Sequence, residues 1–215
     1  MEWVLGRFIF CGKPFQCYHF DAAGDSSANA SLPLAALERA EGEIGAVLWA
    51  EAAEAMLRWL EPCASLQGSR VLELGAGCGF VGLALAARGA RVTLTDKATL
   101  VPLLELNASL ARAAGCDVVV RALDWAVPLP PDLPQFDLVV GCDLLYGDTP
   151  FEGLARVVAG VARVGARFRL AVNKRDQLAG MARFVGILGA DFEVEQSEVD
   201  DVVMLAARWR AAAAK

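Results

Sequence analysis

The sequence predicts an α/β protein built around a mostly parallel β-sheet covered by helices. After residue 69, short strand-like apolar runs alternate with helical segments, which is the pattern of strands joined by helical crossovers. The last two strand-like runs, Phe192–Val199 and Val202–Trp209, are separated by only two residues, which indicates an antiparallel hairpin. With 215 residues, 56% of them hydrophobic and 21% charged, the chain is long and apolar enough to bury a core.

The N-terminal segment has a different pattern. Alternating runs at Trp3–Phe10 and Phe15–Phe20, joined by a Cys-Gly-Lys-Pro turn, predict a β-hairpin. The stretch Asp21–Leu32 is rich in Ala, Gly, Ser and Asp and predicts a mobile loop. We therefore expect a hairpin-and-loop appendage over residues 1–41 and the main domain over residues 42–215.

The main domain is predicted to contain seven strands and five helices. The strands are expected at Arg70–Leu74, Arg91–Thr95, Asp117–Leu123, Phe136–Cys142, Arg167–Asn173, Phe192–Val199 and Val202–Trp209. Helical apolar spacing predicts helices over Ala46–Leu60 and near residues 79–88, 100–113, 150–163 and 177–189. Thr149, Pro150 and Glu152 match a capping box at the start of the fourth helix.

Charge and cysteine content exclude several classes of protein. With 20 basic and 26 acidic residues the net charge is −6, which argues against nucleic acid as a partner because phosphate binding needs clustered Lys and Arg. Six cysteines without a Cys-x-x-Cys pair, and one histidine, predict free thiols and no metal. No apolar run reaches 18 residues and no targeting pattern begins the chain, so we expect no membrane span and a cytoplasmic, or also nuclear, protein.

A glycine-rich turn follows the first strand of the main domain. Val71–Gly79 combines an apolar strand, a Gly-x-Gly-x-Gly turn and a helix start, which lets a ligand approach the main chain closely. A dinucleotide-binding loop has Gly or Ala where this chain has the bulky Phe80, and the Gly-Lys-Ser/Thr of a P-loop is absent. The turn therefore favours a nucleoside without a pyrophosphate.

Two carboxylates accompany this turn. Glu73 lies in the strand before the glycines, and Asp96 ends the next strand, nineteen residues after Gly77, where it can accept hydrogen bonds from ribose hydroxyls. An acidic site suits a cationic ligand and repels a phosphate. We therefore predict S-adenosylmethionine as the cofactor, since its sulfonium and ammonium groups are cationic, with Glu73 and Asp96 in its binding site.

Five segments share their order and spacing with a known family. They are Gly45–Trp49, Val71–Gly79, Thr95-Asp96, Leu123–Trp125 and Asp137–Tyr146, the last ending in an Asp-x-x-Tyr motif. Over about residues 42–210 the chain resembles methyltransferase family 16, the seven-β-strand protein-lysine methyltransferases. The resemblance implies a class I methyltransferase fold, which is Rossmann-like, with a seven-stranded mostly parallel sheet, a C-terminal antiparallel hairpin and helices on both faces.

The resemblance also implies roles for individual residues. Asp143 and Tyr146 would face the lysine of a protein substrate, with the chain acting as a monomer. S-adenosylmethionine, released as S-adenosylhomocysteine, would be bound by Trp49 at its methionine side, by the main chain of Gly75, Ala76 and Gly77, by Asp96 at the ribose, by Trp125 at the adenine and by Cys142.

Other interpretations stay open at this point. The acceptor could be a small molecule or a histidine, the protein could bind S-adenosylmethionine without catalysis, and an NAD-dependent oxidoreductase is disfavoured only by the residue at position 80. Each site residue also has a structural interpretation: Trp49, Trp125 and Tyr146 as packing aromatics, Asp96 as a helix cap and Cys142 as a buried thiol.

Overall fold

A computed structural model describes residues 2–21, 43–62 and 66–210. Within these ranges the strands are β1 (Glu2–Phe10), β2 (Lys13–Asp21), β3 (Arg70–Leu74), β4 (Arg91–Asp96), β5 (Asp117–Ala122), β6 (Phe136–Cys142), β7 (Ala162–Asn173), β8 (Phe192–Val199) and β9 (Val202–Trp209). The helices are α1 (Ala50–Leu60), α2 (Phe80–Ala87), α3 (Val101–Ala113), α4 (Phe151–Val161) and α5 (Lys174–Leu188). The loop predicted after Asp21 and the domain boundary predicted at residue 41 lie outside the described residues.

Seven of these strands form one sheet, in the order β5-β4-β3-β6-β7-β9-β8. The strands from β5 to β7 are parallel neighbours, whereas β9 runs antiparallel to both β7 and β8. This confirms the predicted mostly parallel sheet with a C-terminal antiparallel hairpin. Because the strand order reverses between β3 and β6, the loops after these two strands open a crevice at their carboxyl ends, which is the usual ligand position in open α/β sheets.

Helices cover both faces of the sheet. The core on one face includes Met56 of α1, Leu83 of α2 and Leu104 of α3, and the core on the other includes Leu154 of α4 and Phe184 of α5. Four consecutive residues of β3 are buried, as expected for a parallel strand that is covered on both faces. The carboxyl end of the sheet is therefore held rigidly where the crevice opens.

The predicted N-terminal hairpin is confirmed, and it packs against the main domain. The rings of Phe8 and Phe15 meet that of Phe80 at the start of α2, with centroids 4.8 and 5.2 Å apart. The buried Asn107 of α3 accepts a hydrogen bond from the amide of Tyr18 at 2.6 Å and donates one to its carbonyl at 2.9 Å. The hairpin thus shares the core of the main domain, and Phe80, unsuited to a dinucleotide loop, has a packing role.

The predicted capping box before α4 is wrong. The Thr149 hydroxyl donates its proton toward two carbonyl oxygens of the preceding loop, at 2.7 and 2.8 Å, and its oxygen accepts no hydrogen bond from the helix amides. Pro150 occupies the N-cap position, and no side chain caps the helix. Glu152 forms an ion pair with Arg183 of α5 at 2.8 Å instead of completing a capping box.

Three element boundaries differ from the prediction by three residues or more. Helix α1 begins at Ala50 rather than Ala46, since residues 44–46 form a separate 3-10 turn. Strand β7 begins at Ala162, five residues before the predicted Arg167, because the backbone becomes extended as soon as α4 ends. The register against β6 shifts in this region, and Gly165 there has a φ of 81°, a conformation that favours glycine. Helix α5 begins at Lys174 rather than near residue 177, directly after β7.

None of the helices in the described part of the chain combines the length and apolarity that crossing a membrane requires. Five cysteines lie in that part and are free thiols, as predicted: Cys11, Cys17, Cys78, Cys116 and Cys142. The described ranges contain no group of three or more His, Cys, Asp or Glu side chains placed to hold a metal ion.

Candidate active site

The glycine turn after β3 depends on glycine at each of its three positions. Gly75, Gly77 and Gly79 have φ values of 57°, 56° and 83°, in the region that disfavours residues with a Cβ atom. A Cβ atom on Gly77 would also lie 2.4 Å from the carbonyl oxygen of Gly45. The amide of Ala76 donates to the carbonyl of Thr95 at 2.9 Å, which joins the turn to β4. The turn therefore presents bare main chain to the crevice, as predicted.

Glu73 is almost fully buried, at 4% exposure, in the strand that leads into this turn. Its carboxylate accepts a hydrogen bond from the amide of Gly82 at 2.8 Å, which fastens the first turn of α2 to β3. Burial raises the pKa of Glu73 from 4.5 to about 8, so the isolated site holds this carboxyl mostly protonated at neutral pH. A protonated Glu73 carries no charge, which argues against the prediction that it attracts the cofactor electrostatically. The hydrogen bond of its side chain is to the start of α2.

Asp96 ends β4 and turns its carboxylate toward the glycine turn. Its Oδ2 accepts a hydrogen bond from the amide of Gly77 at 2.8 Å, and its Oδ1 accepts one from Lys97 at 2.7 Å. Burial raises the pKa of Asp96 above its ordinary value. The interpretation of Asp96 as a helix cap is wrong, because α3 begins only at Val101. A carboxylate has about four acceptor positions, so two neighbouring hydroxyls can still bind.

Two aromatic side chains, Trp125 and Trp49, line the same cavity as the glycine turn. The ring of Trp125 lies against Gly75, with two ring carbons 3.4 and 3.5 Å from where a Cβ atom would be. Its indole nitrogen is buried and has no hydrogen-bond partner among the described residues. Trp49 immediately precedes α1 and is 52% exposed, so the core interpretation of this residue is wrong.

Cys142 is the last residue of β6 and lies between the site and helix α1. Its thiol donates a weak hydrogen bond to the carbonyl of Ala52 in α1, with 3.8 Å between sulfur and oxygen. Burial raises its pKa well above the ordinary range, so the thiol is protonated at neutral pH and is a poor nucleophile.

Asp143 and Tyr146 occupy the loop that follows β6. Asp143 has a φ of 51°, which is uncommon for a residue other than glycine. Its carboxylate accepts a hydrogen bond from the main-chain amide of Asn173, at the end of the neighbouring strand β7, at 2.7 Å. Tyr146 is 45% exposed, and partial burial raises its pKa, so its hydroxyl is neutral. Packing therefore accounts for the buried half of the Tyr146 side chain but not for the exposed half.

A single cavity of about 690 Å³ joins these groups at the carboxyl end of the sheet. Every predicted site residue lines it: Trp49, Glu73, Gly75, Ala76, Gly77, Asp96, Trp125, Cys142, Asp143 and Tyr146. The volume lies within the usual range for small-molecule sites, about 300–1,000 Å³. Main chain free of Cβ atoms, a carboxylate with unused acceptor positions and a flat aromatic wall together fit S-adenosylmethionine.

Several residues of the site escaped the sequence analysis. Glu43, Lys97, Asp124 and Asp148 also line the cavity, all in loops where the sequence pattern carries no positional signal. Asn173 contacts Asp143 without lining the cavity. A signal for it existed, because Asn173 ends a strand next to β6 and the carboxyl ends of parallel neighbours meet at one edge.

The reversal of strand order at β3 and β6, the glycine turn and the cavity beside it define a class I S-adenosylmethionine-dependent methyltransferase. Among solved structures, the fold is similar to that of the 16S rRNA N2 G1207 methyltransferase RsmC of T. thermophilus in complex with AdoMet and guanosine. The match has a TM-score of 0.61 and 21% identity, and covers 97% of this chain and 51% of RsmC. At that identity the likeness concerns the fold alone.

Comparison with known sequences identifies the family within this class of methyltransferases. A family model described as lysine methyltransferase matches residues 28–185. Mouse protein N-lysine methyltransferase METTL21A is 31% identical over 189 residues, which are 86% of this chain and 85% of the relative. Mouse EEF1A lysine methyltransferase 3 is 28% identical over 137 residues, which are 64% of this chain and 59% of the relative. The chain belongs to the lysine methyltransferase family, as its motifs indicated.

Proposed function

We propose that this protein transfers a methyl group from S-adenosylmethionine to a lysine side chain of a protein substrate. One observation carries the proposal: Asp143 and Tyr146 line the same cavity as the glycine turn and Asp96. A cofactor held at the turn and an amine held at Asp143 would therefore share one enclosed space. Family membership and the protein-lysine activity named for both mouse relatives support this acceptor class.

The charge of the cavity supports a cationic acceptor. Apart from the protonated Glu73, five of its described lining residues are acidic and one, Lys97, is basic; the acidic ones are Glu43, Asp96, Asp124, Asp143 and Asp148. A cleft lined by one sign of charge concentrates ligands of the opposite sign. Lysine side chains are attracted to such a cleft, whereas the phosphates of a nucleic acid are repelled. We therefore propose a protein partner rather than a nucleic acid.

The cofactor half of the cavity would act by positioning. When bound, S-adenosylmethionine supplies an electrophilic methyl group on a sulfonium sulfur. The bare main chain of Gly75 and Gly77 allows close approach, and Asp96 has acceptor positions for two ribose hydroxyls. Trp125 offers a flat surface for a purine. Methyl transfer is a displacement, so correct placement of the two reactants supplies much of the acceleration.

The acceptor half must receive a charged amine and allow it to become neutral. A lysine has an ordinary pKa near 10.4, so it arrives protonated and has to lose a proton before attack. Asp143 would hold the ammonium, and Tyr146 would wall the approach by a cation–π contact. The raised pKa of Tyr146 keeps its hydroxyl protonated, so it is not a base at neutral pH. We infer that the proton leaves to water at the open mouth.

We propose that the protein acts as a monomer, since described residues of one chain supply the glycine turn, Asp96, Asp143 and Tyr146 and the proposed site needs no second subunit. We propose a cytoplasmic location, with nuclear presence as a second compartment, because free thiols suit a reducing environment. Size-exclusion chromatography with light scattering tests the first statement, and fractionation of cells tests the second. A stable dimer or a secreted protein would contradict them.

Transfer to protein is tested with radiolabelled S-adenosylmethionine and a cell extract. Wild-type protein is expected to place label in one or a few protein bands, and the Asp143→Asn variant is expected to place none. The variant is a matched control because asparagine keeps an oxygen for the Asn173 amide. Label that stays in the low-mass fraction would favour a small-molecule acceptor and would contradict the proposal.

A further inference from the structure

Asp143 is held in an unfavourable backbone conformation by two hydrogen bonds to β7. Its amide donates to the carbonyl of Ala171 at 2.8 Å, and its Oδ1 accepts from the amide of Asn173 at 2.7 Å. A non-glycine residue with a φ of 51° persists only where its surroundings fix it. The placement of this carboxylate therefore depends on where the last residues of β7 lie.

The side chain of Asn173 extends this connection to another element. Asn173 is 8% exposed, and its side-chain Nδ2 donates a hydrogen bond to Oε2 of Glu51. Glu51 lies in the first turn of α1, two residues after Trp49 and 122 residues away from Asn173 in the chain. The described lining of the cavity includes Asp143 but neither Asn173 nor Glu51. These hydrogen bonds thus connect the two residues to the acceptor site through Asp143.

We propose that Glu51 and Asn173 are positioning residues that orient Asp143 toward the acceptor amine. Glu51 fixes the Asn173 side chain, and the Asn173 main chain fixes one carboxylate oxygen of Asp143. The inference rests on the proposed function, because it concerns the same acceptor site. Without Glu51, the nearly buried side-chain amide of Asn173 loses this hydrogen bond, and loss of a bond to a charged acceptor allows the end of β7 to rearrange. A displacement of about 1 Å at a reacting group can cost roughly 100-fold in rate.

A purely structural role for Glu51 makes a different prediction. A negative charge in the first turn of a helix stabilises that helix, so such a role would lower the unfolding temperature and leave the rate of the folded enzyme unchanged. Glu54, also exposed on α1 but beyond its first turn, controls for the loss of an exposed acidic side chain from this helix. Glu51→Gln separates charge from hydrogen bonding, because glutamine keeps a carbonyl oxygen for Asn173 and has no charge.

The test measures four quantities for Glu51→Ala, Glu51→Gln, Glu54→Ala and wild type. They are the maximal rate and the half-saturating acceptor concentration in a dilution series of cell extract, the Kd for S-adenosylmethionine, and the unfolding temperature. For Glu51→Ala we expect the maximal rate to fall roughly tenfold or more, with the cofactor Kd changed by less than twofold. Glu51→Gln is expected to recover most of the rate, and Glu54→Ala to match wild type. A Glu51→Ala rate within twofold of wild type, or a Glu51→Gln variant as slow as Glu51→Ala, overturns the proposal.

A double variant tests whether the two residues act as one unit. If both work through Asp143, Glu51→Ala/Asn173→Ala should be no slower than the slower single variant, because residues of one network are not additive. If the fold-losses in rate of the two single variants multiplied in the double variant, the two residues would act independently. That result would contradict a common action through Asp143. The failure of the proposed function is a separate outcome: wild type itself would then label no protein, whereas failure of the positioning role leaves wild-type labelling intact.

Discussion

The two halves of the cavity are built from different materials. The cofactor half, Gly75–Gly77 with Asp96, consists of main chain and one carboxylate joined by hydrogen bonds within the chain. The acceptor half, Asp143 with Tyr146, is more open, because the Tyr146 side chain is 45% exposed. The cofactor half is complete within this chain, whereas the acceptor half presents surface that a bound protein segment would cover. Substitutions in the two halves should therefore have separable effects.

The largest separation is expected for Asp143→Asn. The variant removes the charge that holds the ammonium and keeps the oxygen that accepts from Asn173. We expect the transfer rate to fall by about 100-fold or more, with the Kd for S-adenosylmethionine changed by less than threefold. Initial rates with labelled cofactor and calorimetric titration measure the two quantities. If the affinity for S-adenosylmethionine fell together with the rate, Asp143 would contribute to cofactor binding as well. That result would contradict its assignment to the acceptor half.

The opposite effect is expected for Gly77→Ala. A side chain at a φ of 56° costs about 1–2 kcal/mol, and the new Cβ atom would lie 2.4 Å from the Gly45 carbonyl oxygen. The turn has to move, so we expect the cofactor Kd to rise at least tenfold in calorimetry. Gly115→Ala is the control, since Gly115 has a φ of 85° and no atom within 4 Å of its Cβ position. This control should lose stability without losing cofactor affinity; equal affinities for both variants would rule out this account of the turn.

A smaller effect on the same half is expected for Asp96→Asn. An asparagine has one oxygen, so the main-chain amides of Gly77 and Lys97 can no longer both be satisfied by separate oxygens. We expect the cofactor Kd to rise about tenfold, equivalent to about 1.4 kcal/mol, while the rate at saturating cofactor stays within a few-fold of wild type. Steady-state rates over a cofactor series separate the two. If the maximal rate fell while the cofactor Kd stayed unchanged, Asp96 would act on the acceptor and not on the cofactor.

The last test concerns stability rather than cofactor affinity, at Glu73, which supports the cofactor half through α2. Burial raises its pKa from 4.5 to about 8, so the folded state binds more protons than the unfolded state between these values. The contribution of Glu73 to stability is therefore fully present below pH 4.5 and is lost as the pH rises toward 8. Relative to Glu73→Gln, wild type should lose about 1 kcal/mol of unfolding free energy per pH unit in this window. Urea unfolding from pH 5 to 8 measures it, and parallel curves for the two proteins would contradict it.

Residues at strand ends were predictable from sequence, whereas contacts between elements far apart in the chain were not. Gly77, Asp96 and Asp143 stand at or just after apolar strands, where parallel topology brings side chains to one edge. Glu51 and Asn173 meet only because α1 packs near the end of β7, a contact between residues 122 positions apart. Their pairing depends on tertiary packing, which local patterns do not encode.

Local patterns also failed where a side chain bonds within the loop before a helix instead of capping that helix. Thr149 has the spacing of a helix cap, yet its hydroxyl donates to carbonyl oxygens of the loop that carries Tyr146. The hydrogen bonds of Thr149 therefore shape the acceptor half of the cavity instead of the helix. The early start of β7 also depends on another strand, since Ala162 pairs with Phe136 of β6 ahead of the predicted start.

The identity of the methylated residue tests the central claim most directly. Protein labelled by the wild-type enzyme in a cell extract is isolated, digested to amino acids and compared with methylated standards. We predict that the label elutes as methyl-lysine and that extract treated with the Asp143→Asn variant gives no such peak. Label that elutes as methyl-arginine or methyl-histidine, or methyl-lysine formed equally by the variant, would contradict a lysine acceptor held at Asp143.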